Sequence, residues 1–160
     1  MFKIGDYITH PMHGAGVIES IVTKKINGSQ RDYYVLKLPV GDMVVMVTVS
    51  GCEDIGVRSI ISRSEAEKLF SAFSEIEISM TQNWNKRYRE NMDKIKSGNL
   101  LDVASVVKGL MCRDSERGLS TSERKMLHSA KQILISELVI ATDMDYDGVE
   151  KRLCAALKEG

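Results

Sequence analysis

The sequence has few of the features that mark large protein classes. Its 160 residues include three cysteines, Cys52, Cys112 and Cys154, at spacings that fit no metal or redox motif, so we expect reduced and buried thiols. No apolar run approaches the roughly 18 residues that a membrane span requires. The N-terminal segment lacks the basic-then-apolar order of a signal peptide. Together these absences predict a cytoplasmic protein that makes no membrane contact.

An excess of charge of one sign is also absent, because 22 Lys and Arg residues balance 22 Asp and Glu residues. A neutral chain is not suited to holding nucleic acid by bulk electrostatics alone. The charge is nevertheless uneven. Residues 84–96 hold five basic side chains against two acidic, residues 108–131 hold six against three, and residues 137–160 hold three against six. A cationic surface is therefore predicted in the middle of the C-terminal half.

Signatures of catalysis are scarce. No serine or cysteine stands in a nucleophile context, and no glycine-rich phosphate loop occurs. His10 and His13 have a spacing seen in some metal sites, but Pro11 and Gly14 make this segment a turn, and no third ligand is near in the sequence. We expect neither an enzyme nor a bound metal or cofactor.

One acidic segment resembles part of a calcium loop. Asp143, Asp145 and Asp147, followed by Gly148, match the alternating carboxylates and the glycine of its first half. The twelfth position of such a loop requires a bidentate glutamate, but here it is Cys154. The favoured interpretation is that the acidic residues cap the last helix at its positive end.

The first sixty residues show the pattern of short strands joined by tight turns. Asn27-Gly28 stands between two β-rich runs, and this dipeptide supplies the positive φ angles that a tight hairpin needs. Large apolar or aromatic residues alternate with other residues over positions 34–38, and residues 43–49 form a continuous apolar and β-branched run. Four or five such strands predict a small β-barrel of the SH3 or Tudor type.

From Ser62 onward the pattern is helical. Ser62 with Glu65, and Ser120 with Glu123, have the spacing of capping boxes, in which two side chains satisfy the free N–H groups at a helix start. The fold class predicted is α+β, with a β module over 1–60 and an all-α bundle over 61–160. Its helices are expected after Ser62, from Trp84 to Gly98, from Asn99 to Arg117-Gly118, from Ser120 to about Thr142, and from Val149 to Leu157.

The only tryptophan, Trp84, stands beside Lys86, Arg87 and Arg89 at the start of a predicted helix. In one interpretation it lies in the helical core, in register with Tyr88. In the other it is exposed, so that its flat ring can wedge against or stack on a base while the basic side chains hold phosphates. Composition does not decide between these two interpretations.

Five segments in order resemble the CarD/CdnL family of bacterial transcription regulators. Each segment alone is a loose match, but their order across nearly the full length makes the resemblance specific. The segments are FKIGDYITHPMHGAGVIESI (2–21), YYVLKL (33–38), DIGVRSIIS (54–62), NWNKRYRENMDKIKSGN (83–99) and RGLSTSERKMLHSAKQIL (117–134).

The resemblance implies a non-enzymatic regulator with two interaction surfaces. Residues 1–60 would be a Tudor-like RNA polymerase-interacting domain that docks on the β subunit. Residues 61–160 would be a helical DNA-binding domain that contacts promoter DNA, weakly and largely without sequence specificity, at the upstream edge of the transcription bubble. Such a protein would stabilise the open promoter complex, and we expect it to be a monomer.

The resemblance also assigns roles to particular residues. Trp84 matches the wedge that the family inserts into the minor groove, and Arg87 and Arg89 match basic positions beside it. Three further basic residues are candidate phosphate contacts, with a solvated helix face as the alternative. They are Lys86, Arg124 and Lys125.

The polymerase contact is assigned to the strand over residues 43–49, because a β module can add a strand across a protein interface. Relatives carry an arginine on this strand, whereas Val44, Val45 and Met46 are all apolar. Lys24 stands near a position that is basic in relatives. We therefore predict a docking contact that depends more on apolar packing.

Two other functions remain open from the residues alone. The chain could be a protein–protein adaptor whose helical module binds another protein and whose Trp84 is a core residue. It could also be a sequence-specific repressor with a helix-turn-helix around Arg117-Gly118. However, the segment STSERKM offers few of the Asn, Gln and Arg residues that a recognition helix presents at its start.

Overall fold

The computed structural model describes residues 1–78 and 80–159, and it confirms the α+β class. Five antiparallel strands form one sheet in the order β4-β3-β2-β1-β5, so that β4 and β5 are its edge strands. The strands are β1 (Tyr7–His10), β2 (Gly14–Ile26), β3 (Ser29–Leu38), β4 (Met43–Thr48) and β5 (Arg58–Ser59).

The sheet is built around the predicted hairpin between β2 and β3. Asn27 and Gly28 adopt positive φ angles of 51° and 82°, which the tight turn requires. The pairing shifts register between Ile18 and Ser20, where a bulge bends β2. One face carries the core of the sheet module, which consists of Ile8, Ile18, Tyr34, Leu36, Leu38, Val47, Cys52 and Val57.

Among the described residues, five helices follow the sheet, and side-chain caps set the starts of the first four. The Ser62–Glu65 capping box is present as predicted, and Asn99 caps the third helix. The last helix starts earlier than the predicted Val149, because Asp145 Oδ1 accepts a hydrogen bond from the Gly148 N–H at 2.8 Å. The helices are α1 (Arg63–Glu75), α2 (Trp84–Lys96), α3 (Leu100–Arg117), α4 (Thr121–Thr142) and α5 (Tyr146–Glu159).

The helices enclose a second core, in which α4 is the central element. Its buried residues include Ile133, Leu134, Ile135 and Leu138, which pack with apolar side chains of the other helices. The core also contains a buried lysine. Lys108 Nζ donates to the carbonyl oxygens of Ser74 and Ile76, at the C-terminal end of α1, at 2.9 and 2.8 Å. Within residues 1–78 and 80–159, none of the helices combines the length and hydrophobicity of a membrane span.

The sheet and the helices are tied together by buried polar contacts. The backbone N–H of Ala15 on β2 donates to Ser136 Oγ on α4 at 2.8 Å. Gly14, with a φ of 95°, lies against the α4 backbone at Ile133, so a side chain there would have no room. The strands end at Ser59 and the helices begin at Arg63, but these contacts hold the two parts together across that boundary.

An ion pair adds to this junction. Arg58 on β5 donates two hydrogen bonds to the carboxylate of Glu137 on α4, at 2.8 and 3.1 Å. The same carboxylate accepts the Ile61 N–H at 2.8 Å, and Arg58 Nε donates to the Gly98 carbonyl oxygen at 3.3 Å. One arginine therefore joins the sheet both to α4 and to the connection between α2 and α3.

Candidate nucleic-acid interface

The N-termini of α2 and α4 meet at one place on the surface. Asn83 caps α2 by accepting the Lys86 N–H at 3.0 Å, and Ser120 caps α4 by accepting the Glu123 N–H at 3.2 Å. The indole N–H of Trp84 donates to Ser120 Oγ at 3.3 Å. Because a helix N-terminus carries partial positive charge, two such ends here favour the approach of an anionic group.

Trp84 lies on the surface of this junction and is 41% exposed. Its ring stacks on that of Tyr88, one turn later in α2, with centroids 5.3 Å apart and an interplanar angle of 20°. The interpretation that places Trp84 in the helical core is therefore wrong. Tyr88 supports one face of the indole, and the residue remains partly accessible to solvent.

Arg87 is where the structure corrects the sequence prediction most clearly. Its side chain is only 2% exposed, and its Nε and Nη2 donate to the Glu123 carboxylate at 2.8 and 3.1 Å. Its Nη1 donates to the carbonyl oxygens of Thr81 and Gln82, both at 3.2 Å. Every nitrogen of the guanidinium is thus bonded inside the protein, and Arg87 is not available for a phosphate. Its role is to hold α2 against α4.

Glu123 also departs from its predicted role. In the capping box of α1, Glu65 accepts the N–H of its own cap residue. At α4 only half of that arrangement forms, because the Glu123 carboxylate turns to Arg87 instead. The hydrogen bonds from the Arg87 guanidinium hold the pKa of Glu123 below its usual value. The two residues are 36 positions apart, so no local pattern could have revealed the pair.

The other predicted basic residues are exposed around the same junction. On α2, Lys86 Nζ lies 4.0 Å from a carboxylate oxygen of Glu90, and Arg89 is exposed one turn further along the helix. Arg124 and Lys125 are exposed in the first turn of α4, where Arg124 Nη2 donates to the Leu119 carbonyl oxygen at 3.3 Å. The fold therefore brings basic residues from two distant segments to the two helix starts beside Trp84.

Sequence reasoning missed three residues of this junction. Ser120 was identified only as a cap, although it also accepts the indole N–H. Tyr88, which was expected in the helical core, does pack against that core, and it also supports the Trp84 ring. Arg117, at the end of α3, donates to the Gln82 side chain at 3.4 Å and is exposed. The only available signal for Arg117 was its place in the basic region of residues 108–131.

The predicted polymerase-docking residues do not form one cluster. On the edge strand β4, Val44 and Met46 point to the same face of the sheet and are 58% and 40% exposed. Val45 points to the opposite face and packs against the sheet core. Lys24 pairs with Arg31 on the β2–β3 hairpin, beyond the Tyr33–Thr48 pair at which β4 ends. The structure therefore places Val44 and Met46 together and Lys24 apart from them.

His10 ends β1, and His13 lies in the turn between β1 and β2. The rings of His10 and His13 have centroids 4.5 Å apart and are tilted by 43°, and His10 Nδ1 accepts the Met12 N–H at 3.0 Å within the turn. Burial, and secondarily the neighbouring His13, lowers the pKa of His10. In the part of the chain that the structure describes, no group of three or more His, Cys, Asp or Glu residues is arranged to hold a metal ion.

Comparison with known proteins gives matches to both parts of the chain. Residues 2–61 match the family model of the CarD-like/TRCF RID domain, and residues 68–154 match that of the CarD C-terminal domain. A curated protein of Bacillus subtilis (strain 168), named "Putative transcription factor YdeB", is 38% identical over 140 residues. That alignment covers 88% of this chain and 92% of the Bacillus protein.

Proposed function

Because the chain belongs to the CarD-like family of transcription factors, we propose that it docks on the β subunit of RNA polymerase and stabilises the open promoter complex. The observation that carries this proposal is the exposed Trp84 at the meeting point of two helix N-termini. No covalent step is required, since binding energy alone shifts the equilibrium between closed and open promoter.

Trp84 acts in this proposal as a wedge at the upstream edge of the transcription bubble. A flat side chain that enters a distorted base step in the minor groove fits unstacked DNA better than closed duplex. Stacking of an aromatic side chain on a base contributes about 1–3 kcal/mol. The protein shifts the promoter toward the open state only by this difference in affinity, so its main effect is on bubble collapse.

The basic residues around Trp84 are the proposed phosphate contacts. They are Lys86 and Arg89 on α2 and Arg124 and Lys125 on α4, whereas Arg87 is excluded because it is buried. Contacts to phosphate position a protein without reading the sequence. The chain has no net charge, and a small basic face is sufficient if docking on polymerase holds it near the promoter at high effective concentration.

The proposed polymerase contact is the edge strand β4. Its outer backbone groups face away from the β3 ladder, so they can pair with a strand of the partner. Val44 and Met46 present an exposed apolar surface on the same strand. The match of residues 2–61 to the RID domain model supports polymerase as the partner.

The docking part of the proposal is tested by binding to purified RNA polymerase. Replacing Val44 and Met46 together with Glu places two charges on the exposed face of β4, and we expect affinity to fall at least about tenfold. Leu101→Glu is the matched control, since Leu101 is an exposed apolar residue on α3. Equal binding by the β4 variant, the control and the wild type would remove β4 as the docking strand.

The DNA part is tested by footprinting a promoter bound by polymerase, with and without the protein. We expect the protein to extend protection at the upstream edge of the bubble and to leave free promoter DNA unprotected. Strong selective protection of free DNA would instead indicate a repressor. Binding to polymerase with no change at the upstream edge would indicate an adaptor whose helical part contacts another protein.

A further inference from the structure

The geometry points to Ser120 as a positioning residue for Trp84: its hydroxyl caps α4 and also fixes the orientation of the indole ring before DNA is met. This inference rests on the proposed wedge function, and it identifies which part of the fold prepares the wedge. The contact joins residues 36 positions apart, from the first turn of α2 to the cap of α4.

Two contacts restrict the indole, and a buried ion pair holds the helices that provide them. Ser120 Oγ accepts its N–H at 3.3 Å, and Tyr88 supports one of its faces at a centroid distance of 5.3 Å. The buried pair of Arg87 and Glu123 fixes α2 against α4, so that Ser120 and Trp84 keep their separation. Since the Glu123 N–H donates to the same Ser120 oxygen, the cap determines where that oxygen points.

Restriction matters because Trp84 is 41% exposed and its side chain would otherwise sample several rotamers. A wedge that is already oriented loses less conformational entropy when it enters a base step. Loss of the Ser120 contact should therefore weaken the wedge without removing it. We expect open complexes to be shortened about two- to fourfold, a smaller loss than that caused by removing the indole itself.

The two roles of Ser120 are separable by substitution. Ser120→Gly retains most of the capping preference, because glycine is tolerated at this position at a cost of a few tenths of a kcal/mol, but it removes the acceptor for the indole. Ser120→Thr retains both the cap and the hydroxyl and should behave as the wild type. Ser62→Gly is the matched control, since Ser62 caps α1 within its own capping box.

Fluorescence of the free protein gives a readout that a structural role alone would not change. Trp84 is the only tryptophan, so emission reports this site directly. For Ser120→Gly we expect lower anisotropy and faster acrylamide quenching than in the wild type, Ser120→Thr and Ser62→Gly, with melting temperatures alike in the two glycine variants. Unchanged anisotropy and quenching in Ser120→Gly would overturn the positioning role.

The lifetime of open complexes then connects orientation to function. Shortening in Ser120→Gly but not in Ser62→Gly, with recovery in Ser120→Thr, supports the inference. Equal shortening in both glycine variants overturns it, because general loosening would then be the cause. If Trp84→Ala leaves the lifetime unchanged, the proposed wedge fails, whereas the fluorescence result still decides whether Ser120 orients the indole.

Discussion

Two arginine–glutamate pairs in this protein contain a buried glutamate, and they differ in the burial of the arginine and in what they join. Arg87 and Glu123 connect two helix starts beneath Trp84, and both side chains are 2% exposed. Arg58 and Glu137 connect the sheet to α4, and here the glutamate is fully buried while the arginine is 34% exposed. Water can therefore compensate the loss of Glu137, because Arg58 is partly exposed, but it reaches neither member of the first pair.

The comparison also shows what α4 does. Both glutamates lie on this helix, 14 positions apart, which corresponds to about 21 Å at the usual helical rise of about 1.5 Å per residue. The start of α4, at Glu123, therefore supports the proposed DNA contact. The part of α4 around Glu137 contacts the sheet, which contains the proposed docking strand. The helix α4 therefore contacts both the proposed DNA-binding junction and the sheet that contains the proposed docking strand.

The largest effect is expected from breaking the fully buried pair. Arg87→Met leaves the Glu123 carboxylate buried without its partner, and we expect a loss of about 3–5 kcal/mol in the free energy of unfolding. Urea denaturation followed by circular dichroism measures this. The double variant Arg87→Met/Glu123→Leu removes both charges and should recover most of the loss. A loss below about 1 kcal/mol in the single variant would contradict the role assigned to the pair.

A smaller effect is expected at the junction of sheet and helices. Glu137→Gln removes the charge but keeps an oxygen for the Ile61 N–H, and Arg58 can turn partly to water. We expect a loss of about 1–3 kcal/mol, with faster hydrogen exchange at the amides of Ile61 and Ala15, which cross the junction. Exchange that accelerates equally throughout the helical core would show that the effect is not local.

The pH dependence of stability sharpens the assignment of Glu123. Its pKa is lowered in the folded state by the bonds from Arg87, so its contribution is fully present above its unfolded value of about 4.3 and is lost as pH falls through the lower folded value. Between about pH 5 and pH 3, Glu123→Gln should lose less stability than the wild type. Parallel curves for the two proteins would contradict a charge-based role.

The smallest effect is expected at the exposed pair on the helical surface. Arg152 donates to both carboxylate oxygens of Glu67, at 2.9 and 3.1 Å, and its guanidinium also lies over the Phe70 ring. Exposed ion pairs contribute little because both groups are already hydrated. Glu67→Gln should leave the urea midpoint unchanged within experimental error. A clear loss would mean that burial does not explain the ranking of the three pairs.

Local chemistry was sufficient to predict much of the fold. The Asn27-Gly28 hairpin and the Ser62–Glu65 capping box depend on neighbours in the sequence, and both are present as predicted. The two-residue period of a strand could also have separated Val45 from Val44 and Met46, since alternate residues point to opposite faces. The edge position of β4 could not be predicted in this way, because it depends on the order of strands in the whole sheet.

The candidate site was harder to predict for the same reason. The first half of α2 contains Trp84, Arg87 and Arg89. Although they are close in the sequence, Arg87 is buried and the other two are exposed. What distinguishes Arg87 is Glu123, which is brought to it only when α4 packs beside α2. A basic run predicts a charged surface, but it does not show which of its members the fold will use internally.

The most direct measurement is the lifetime of open complexes formed by the cognate RNA polymerase on a ribosomal RNA promoter, with no factor, wild type or Trp84→Ala. The alanine variant must first be shown to fold and to bind polymerase as the wild type does. We predict that the wild type lengthens the lifetime of the open complexes. With Trp84→Ala, the lifetime should be at least about fivefold shorter than with the wild type. Equal lifetimes with the two proteins would contradict the wedge and assign any effect to polymerase docking or to the basic face.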